Sequence, residues 1–415
     1  MDLHINHGTA YTEPHFKNLK SDKGTARYRR IRTCMLLSGL SVFAQLYLFQ
    51  PLLTSLCEEF TISPATSSLA VSFGTIGMAT GLFIFAFRAD SMQRERLMSI
   101  ALISSSILTI ATAFAWNFSS LLVLSLLKGI ALSGVSAVAL AYLNEEVSTS
   151  IIGVAISLYL SGNTIGGMTG RVTSTLVAGW SDWRMAAAAI GVAALVMGII
   201  FARRIPVGRN FRPQHVNMKV KLKRMGGFIS QFAFLGLYLT AALVMGAFVS
   251  VYNYISFVLE SPVFNLPHYI VAMIYLMYTI GVAGSIFTGK LSDRYDAAML
   301  LKVSILMMLA GTLLLAVMQL WAIVAGLGLV TYAFFSAHTM ASRIVSLNAR
   351  KAKSSAVCLY WLFYYMGSSI IGSSTGTVLE AHGWQYFVMT IFAIVALSLI
   401  LASIAVRRKP KTVVH

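Results

Sequence analysis

Apolar residues run along this chain in long blocks broken by short polar stretches. Six blocks lie in the first half, at about 33–56, 66–87, 97–116, 119–143, 151–178 and 185–202. A polar, basic stretch follows at 203–226, and six more blocks lie at about 229–258, 268–288, 297–318, 320–345, 354–378 and 386–406. A helix needs roughly 20 apolar residues to cross about 30 Å of hydrocarbon. The pattern predicts an all-α membrane protein with twelve transmembrane helices.

Composition agrees. Of the 415 residues, 57% are hydrophobic and 11% charged, against about 25% charged in soluble domains. The net charge of +18 raises the question of nucleic acid, and the placement of the charge answers it. Seven Lys and Arg lie before the first block, three between blocks 2 and 3, and eight in the central stretch. Two more lie between blocks 8 and 9, four around the 10–11 junction, and four in the tail. The intervening loops on the other side carry none, so 28 of 32 basic residues share one face. The positive-inside rule puts that face, and both termini, in the cytoplasm. There it meets anionic lipid headgroups, and no nucleic-acid role is expected. Cys34, Cys57 and Cys358 are widely spaced and read as small apolar residues, not as disulfide or metal ligands. The first 32 residues lack an early apolar run, so no cleaved signal peptide is expected.

The halves repeat. YLSGNTIGGMTG at 159–170 parallels YYMGSSIIGSSTG at 364–376, and GWSDWRM at 179–185 parallels GWQYFVM at 383–389. The offset is about half the chain. The expected organisation is a cytoplasmic basic arm (1–32), a six-helix half (33–202), a cytoplasmic loop (203–228), a second six-helix half (229–406) and a cytoplasmic tail (407–415). Such halves pack about an axis along the membrane normal, with the solute between them near the midplane.

GKLSDRYDAA at 289–298 and the degenerate AFRADSMQRER at 86–96 each follow the second block of a half. These loops resemble the G-x-L-x-D-R-x-G-R/K signature of the major facilitator superfamily, and the resemblance covers nearly the whole chain. The segments YLFQPLLTSLCEEF (47–60), LSGVSAVALAYLNEE (132–146), NFRP (210–213), FFSAHTMAS (334–342) and FYYMGSSIIG (363–372) place it near the arabinose-efflux and drug-efflux-like branch. The resemblance implies alternating access, efflux and proton antiport, with Asp90, Arg94, Asp293 and Arg294 as cytoplasmic gate residues. It is incomplete. The antiporter motif on block 5 has Asn163 in place of proline, and the block 4 position that carries arginine in the family is Ser125.

Charge inside a bilayer costs about 2.5–3.5 kcal/mol on insertion scales, so each embedded charge needs a reason. All 14 Asp and Glu lie in loops or at helix ends, whereas Lys128 and Arg171 lie within blocks 4 and 5. By rise per residue the two cations sit at similar depth. Two cations without an embedded acid suggest an electropositive cavity for anionic or electron-rich solutes; bonding to helix carbonyls or headgroups is the alternative. Asn163 and Arg171 share a stripe beside Gly162, Gly166 and Gly170, whose spacing of four suits close helix packing. His338 is the one histidine deep in a block and titrates near neutrality when unperturbed, so it is a proton-coupling candidate or a structural histidine. Trp361, Tyr364 and Tyr365 form an aromatic stripe suited to an amphipathic ligand or to core packing. Gln45 and Asn253 are further solute-binding candidates, and Gln50 is read as satisfying backbone freed by Pro51.

No phosphate-binding loop, zinc-helix motif or nucleophile elbow occurs, so the chain is read as no enzyme, without cofactor or metal. The expected function is secondary active transport of a small-molecule solute across the cell inner membrane, as a monomer driven by protons, in the direction of efflux. The alternative is an organic-anion carrier or facilitator not driven by protons.

Overall fold

The computed structural model describes residues 20–211, 213, 218–349 and 353–408, apart from the side chain of Asp90. Among them the regular structure is helical. Ten helices are long and apolar enough to cross a membrane. Their bounds are Ala26–Phe60, Pro64–Arg88, Arg94–Thr112, Phe118–Glu146, Trp183–Arg204, Phe232–Leu259, His268–Leu291, Ala297–Leu315, Leu320–Asn348 and Lys353–Arg407. The last has 55 residues, about 80 Å at 1.5 Å per residue, far more than one crossing. It breaks at Gly383, where φ is 79°, a left-handed value that glycine adopts without the Cβ penalty. It therefore counts as two spans. Ile152–Trp180 supplies the twelfth; its glycines, hydroxyls and Arg171 dilute its apolarity. The helices are called spans 1 to 12 in chain order.

Two boundaries differ from the sequence expectation. The first helix starts at Ala26, inside the basic arm, because Thr25 caps it: its Oγ1 accepts from the Tyr28 N–H at 3.2 Å. Cationic residues Arg27 to Arg32 have good helix propensity, and their charges extend the helix beyond the apolar block. In the central stretch, expected to be a loop, Met218–Ile229 is a helix. Its alternating Lys and apolar residues do not resemble a spanning block, and its exposed Met218 and Leu222 give it an amphipathic character.

Span 1 is interrupted. Its first helix ends at Leu46, a 3-10 turn runs over Gln50–Leu52, and a second helix covers Leu53–Phe60. Pro51 lacks the N–H that a continuous helix needs. The interruption brings Tyr47, Phe49 and Gln50 into the interior, each at most 4% exposed.

Glycines set how closely the spans approach. A Cβ on Gly162 would lie 2.6 Å from the Leu36 carbonyl, one on Gly166 2.3 Å from the Leu40 carbonyl, and one on Gly170 2.6 Å from the Ala44 Cα. The contacts step by four residues on span 5 and by four on span 1. The second half repeats the arrangement, with Gly367 of span 11 tight against Ala242 of span 7.

The two halves meet mainly through span 2 with span 11, span 5 with the start of span 8, and span 1 with span 7. Their mutual hydrogen bonds among the described residues run from mid-depth to the face opposite the basic loops, here called the far side. Ser72 Oγ donates to the Ser369 carbonyl at 3.1 Å and also meets Ser373 Oγ. Thr75 and Ser369 share a hydroxyl contact of 2.6 Å, and the Ala65 N–H donates to Glu380 at 2.5 Å.

Candidate functional site

Arg171 of span 5 projects into the seam between the halves and is 2% exposed. Gly167, one turn earlier, makes room for it: a Cβ there would lie 3.1 Å from the guanidinium. Its Nη1 donates to the Gly167 carbonyl at 2.7 Å, and its Nε donates to Gln50 Oε1 at 2.7 Å. Arginine only donates, so the oxygen of Gln50 must face it and the amide nitrogen must face away. That nitrogen donates to Asn253 Oδ1 at 2.8 Å, and Asn253 Nδ2 donates to the Gly372 carbonyl at 3.0 Å. The result is a one-directional relay from span 5 through spans 1 and 7 to span 11.

Tyrosine faces surround the guanidinium instead of carboxylates. Its carbon lies 4.4 Å from the centre of Tyr47, 4.7 Å from Tyr278 and 5.8 Å from Tyr275. Ring quadrupoles attract a cation, and more strongly when water is excluded. The buried hydroxyl of Tyr47 faces that of Ser368, and the buried hydroxyl of Tyr275 faces that of Ser256, neither pair in good hydrogen-bond geometry. A partly polar solute between the halves would find donors and acceptors ready there.

The other candidates divide. His338, Trp361, Tyr364 and Tyr365 come together in one aromatic cluster between spans 10 and 11. His338 lies 4.9 Å from Tyr364 and 5.3 Å from Trp361, ring centre to ring centre, and Trp361 lies 6.0 Å from Tyr365. His338 Nδ1 is 2.8 Å from the Tyr360 hydroxyl. Beside them is a cavity of about 10 Å³, lined by Thr240, His338, Tyr360 and Tyr364 among others, which is room for one water. Gln45 does not join the seam. Its amide bonds to Ser41 and to Thr109 of span 3 at 3.0 and 2.8 Å, inside the first half. Asn163 is half-buried against Gly39, with its Oδ1 unpartnered. Lys128 is fully buried within the first half, and its Nζ lies 4.7 Å above the centre of Phe49.

Gln50 was read from sequence as serving the backbone near Pro51. It joins Arg171 to Asn253 instead, because the proline break turns its side chain inward. Sequence reasoning also missed the tyrosine cage and the hydroxyl seam. The signals were Tyr275 and Tyr278, three apart on one helix face, and Ser68, Ser72 and Thr75, at i, i+4 and i+7.

On the basic face the first half is tightly bound. Arg94 bonds to Glu145 at 3.1 Å and to the Ala89 carbonyl, and it covers the ring of Phe211 at 4.9 Å. Asp90, its expected gate companion, has its side chain outside the described residues. Glu146 is fully buried. It takes Arg27 at 2.6 Å and the backbone N–H groups of Arg209 and Asn210 at 2.7 and 2.8 Å. The N-terminal arm and the central linker are thereby pinned to one carboxylate. The equivalent second-half loop is open: Asp293 is exposed, 3.5 Å from Arg343, and Arg294 is exposed. Glu146→Ala would leave Arg27 with only the Val207 carbonyl and strand two N–H groups, an effect of about 3 kcal/mol by analogy with broken buried pairs. The expected result is a lower unfolding temperature and faster trypsin cleavage at Arg209; unchanged cleavage would count against the pinning.

Twelve spans in two repeated halves, joined around a buried polar seam, define a solute carrier, and residues 35–373 match the Major Facilitator Superfamily. The chain belongs to that family: it is a multi-pass membrane transporter, not an enzyme. It is 34% identical over 380 residues to the inner membrane transport protein YnfM of Escherichia coli (strain K12), covering 92% of this chain and 90% of that one. It is also 34% identical over 366 residues to the MFS-type transporter YybF of Bacillus subtilis (strain 168), covering 87% and 90%. Among solved structures, a D-xylose–proton symporter superposes with a TM-score of 0.75 at 15% identity, covering 94% of this chain and 100% of that one, which is a likeness of fold.

Proposed function

We propose that the chain is a secondary active transporter that exports small organic solutes across the inner membrane in exchange for protons, acting as a monomer. In this reading the basic face is cytoplasmic, with both termini on that side. The observation that carries it is the distribution of bonds between the halves. They run from mid-depth to the far side, which is the far-closed state of an alternating-access cycle, in which solute would exchange with the cytoplasmic side; the direction of export follows the resemblance to efflux carriers. Alternating access of this kind rocks one repeat against the other about a central site. Solute would bind among Arg171, Tyr47, Asn253 and the His338–Trp361–Tyr364–Tyr365 cluster, with Asn163 on the wall that spans 1 and 5 form.

One observation favours a second reading, an organic-anion carrier not driven by protons. Both embedded cations lack a carboxylate partner, so an anion would complement the site. Inside-out vesicles with an acidic lumen separate the two. Under proton antiport, solute accumulates in the lumen several-fold and the accumulation collapses with a protonophore. Flux that ignores the gradient but follows anion charge selects the carrier. No flux of any solute in a panel of anions, cations and neutral compounds would overturn both.

A further inference from the structure

The loop between spans 7 and 8 closes on a carboxylate and an imidazole. Glu260 follows the last residue of span 7, His268 begins span 8, and Glu260 Oε1 lies 2.7 Å from His268 Nδ1. Lone pairs alone would repel at that distance, so a proton sits between them. The loop holds the two in place. The Leu266 N–H donates to the Leu259 carbonyl at 2.9 Å, and the Asn265 N–H donates to the Ser261 carbonyl at 2.7 Å. The side chains of His268 and Glu260 are 23% and 20% exposed on the far side, enough to exchange protons with water there.

The ring has unused capacity. His268 Nε2 is buried and has no hydrogen-bond partner. A second proton makes that nitrogen a donor as well and turns the ring into a cation. The start of span 8 packs against span 5 of the first half, so the cation would form at the boundary between the halves. On the elements packed here, Glu59 is paired with Arg184 at 2.9 Å and Arg171 is held in the relay. Cys57 and Tyr254 turn toward Ser67 and Ser373, and Tyr269 is exposed. Glu260, from the second half, and Glu58, from the first, are the charges that act on the ring. An imidazolium is attracted by both carboxylates, and a neutral ring is not.

Behind the pair, polar groups continue inward. Ser256 lies one turn before Glu260 on span 7, with Asn253 almost a turn deeper on the same face. Tyr275 lies two turns past His268 on span 8. The hydroxyls of Ser256 and Tyr275 face each other, and the Tyr275 ring lies 5.8 Å from the Arg171 guanidinium. The pair is the outer end of a polar line whose inner end is the relay.

We propose that Glu260 and His268 form a far-side proton-binding site, and that the imidazolium, held between Glu260 of the second half and Glu58 of the first, latches the far side shut. The sign follows from linkage. A proton bound more tightly in the closed state favours that state, so closure is favoured at low pH and lost as pH rises through the imidazole range. As a coupling step the site rests on the proton-exchange reading above, in which a proton taken from the far side must favour return to the far-closed state. As a latch it is tested with no solute present.

The test uses the full chain in right-side-out vesicles, whose outer face is the far side in the orientation proposed above. Cys34, Cys57 and Cys358 are replaced by serine, and Ser72→Cys, at a position 2% exposed in the seam, is the reporter. Its labelling rate with a membrane-impermeant thiol reagent is measured from about pH 5.5 to about pH 8 outside, across the imidazole range. At each pH the rate is divided by that of the same protein unfolded in detergent, which removes the pH dependence of the thiol itself. The expected result is a rise of about tenfold with pH, the ratio that follows when the closed state binds the proton about tenfold more tightly. His268→Gln should flatten the profile, and Glu58→Gln, at an exposed residue, should reduce the rise severalfold. His382→Gln, at an exposed histidine outside the seam, should leave it intact. A flat profile in the parent chain, or an undiminished rise in His268→Gln, overturns the proposal whatever the vesicle flux shows. The expected profile in a protein for which an imposed gradient drives none of the panel solutes leaves the latch standing and removes proton exchange.

Discussion

Gln50→Leu should open the far side of the transporter. Gln50 uses both ends of its amide, accepting from Arg171 and donating to Asn253, and so ties the first half to the second in this conformation. Leucine removes both bonds and leaves a buried guanidinium without its Nε acceptor. Hydrogen bonds to charged groups contribute about 1.5–3 kcal/mol, so the far-closed state should lose roughly 2–3 kcal/mol. That corresponds to roughly a 30- to 150-fold shift in the conformational equilibrium. The reporter is Ser72→Cys, placed in a chain whose Cys34, Cys57 and Cys358 are replaced by serine. Ser72 is 2% exposed in the seam, so a membrane-impermeant thiol reagent applied from the far side labels it slowly. In the Gln50→Leu background labelling should accelerate by a comparable factor. Adding Arg171→Leu should restore part of the slow rate, because no stranded cation then remains; neighbours in one network are non-additive in this way. Equal labelling in all three backgrounds would show that the relay does not hold the halves together.

That result would also locate what sequence reading reached and where it stopped. The spans were legible because a bilayer demands long apolar runs, and the loops because positive charge accumulates on one face. Arg171 and Lys128 stood out because charge is rare in such runs. Their surroundings were not legible. Whether Arg171 faces water or tyrosine depends on how span 8 packs against span 5, and no local pattern states that. Gln50 lies beside a proline, which suggested a local role; the inward turn of the broken helix gives it a long-range one. Glu146 looked like an ordinary helix-end acid. Its burial comes from residues 21–27 and 206–210 folding over it, contacts across 119 residues of sequence to Arg27 and 63 to Arg209. The helix at Met218–Ile229 escaped because its pattern belongs to a surface helix and not to a span.

The glycine stripe gives the second large effect, and there the sign reverses within one helix. Gly166→Ala places a methyl group 2.3 Å from the Leu40 carbonyl and 2.6 Å from its Cα. Both are backbone atoms, so no side chain can turn aside, and spans 1 and 5 must separate. Overpacking typically costs 1–3 kcal/mol, and a backbone clash of this kind belongs near 3 kcal/mol. Separation would also disturb Gly162 and Gly170, which make the same contact one turn away on either side. Gly153 begins the same helix, and a Cβ there meets nothing within 4 Å. Alanine is the better helix former by about 1 kcal/mol, so Gly153→Ala should stabilise by up to that amount. Each variant adds one methyl group to the same helix, yet the two should move the unfolding temperature in opposite directions, Gly166→Ala downward by several degrees. Monodisperse protein remaining after a heating series, followed by size-exclusion chromatography, measures this directly. If Gly166→Ala were as stable as Gly153→Ala, the close approach of spans 1 and 5 would not be what holds the first half together, and the path by which Arg171 reaches Gln50 would need another explanation.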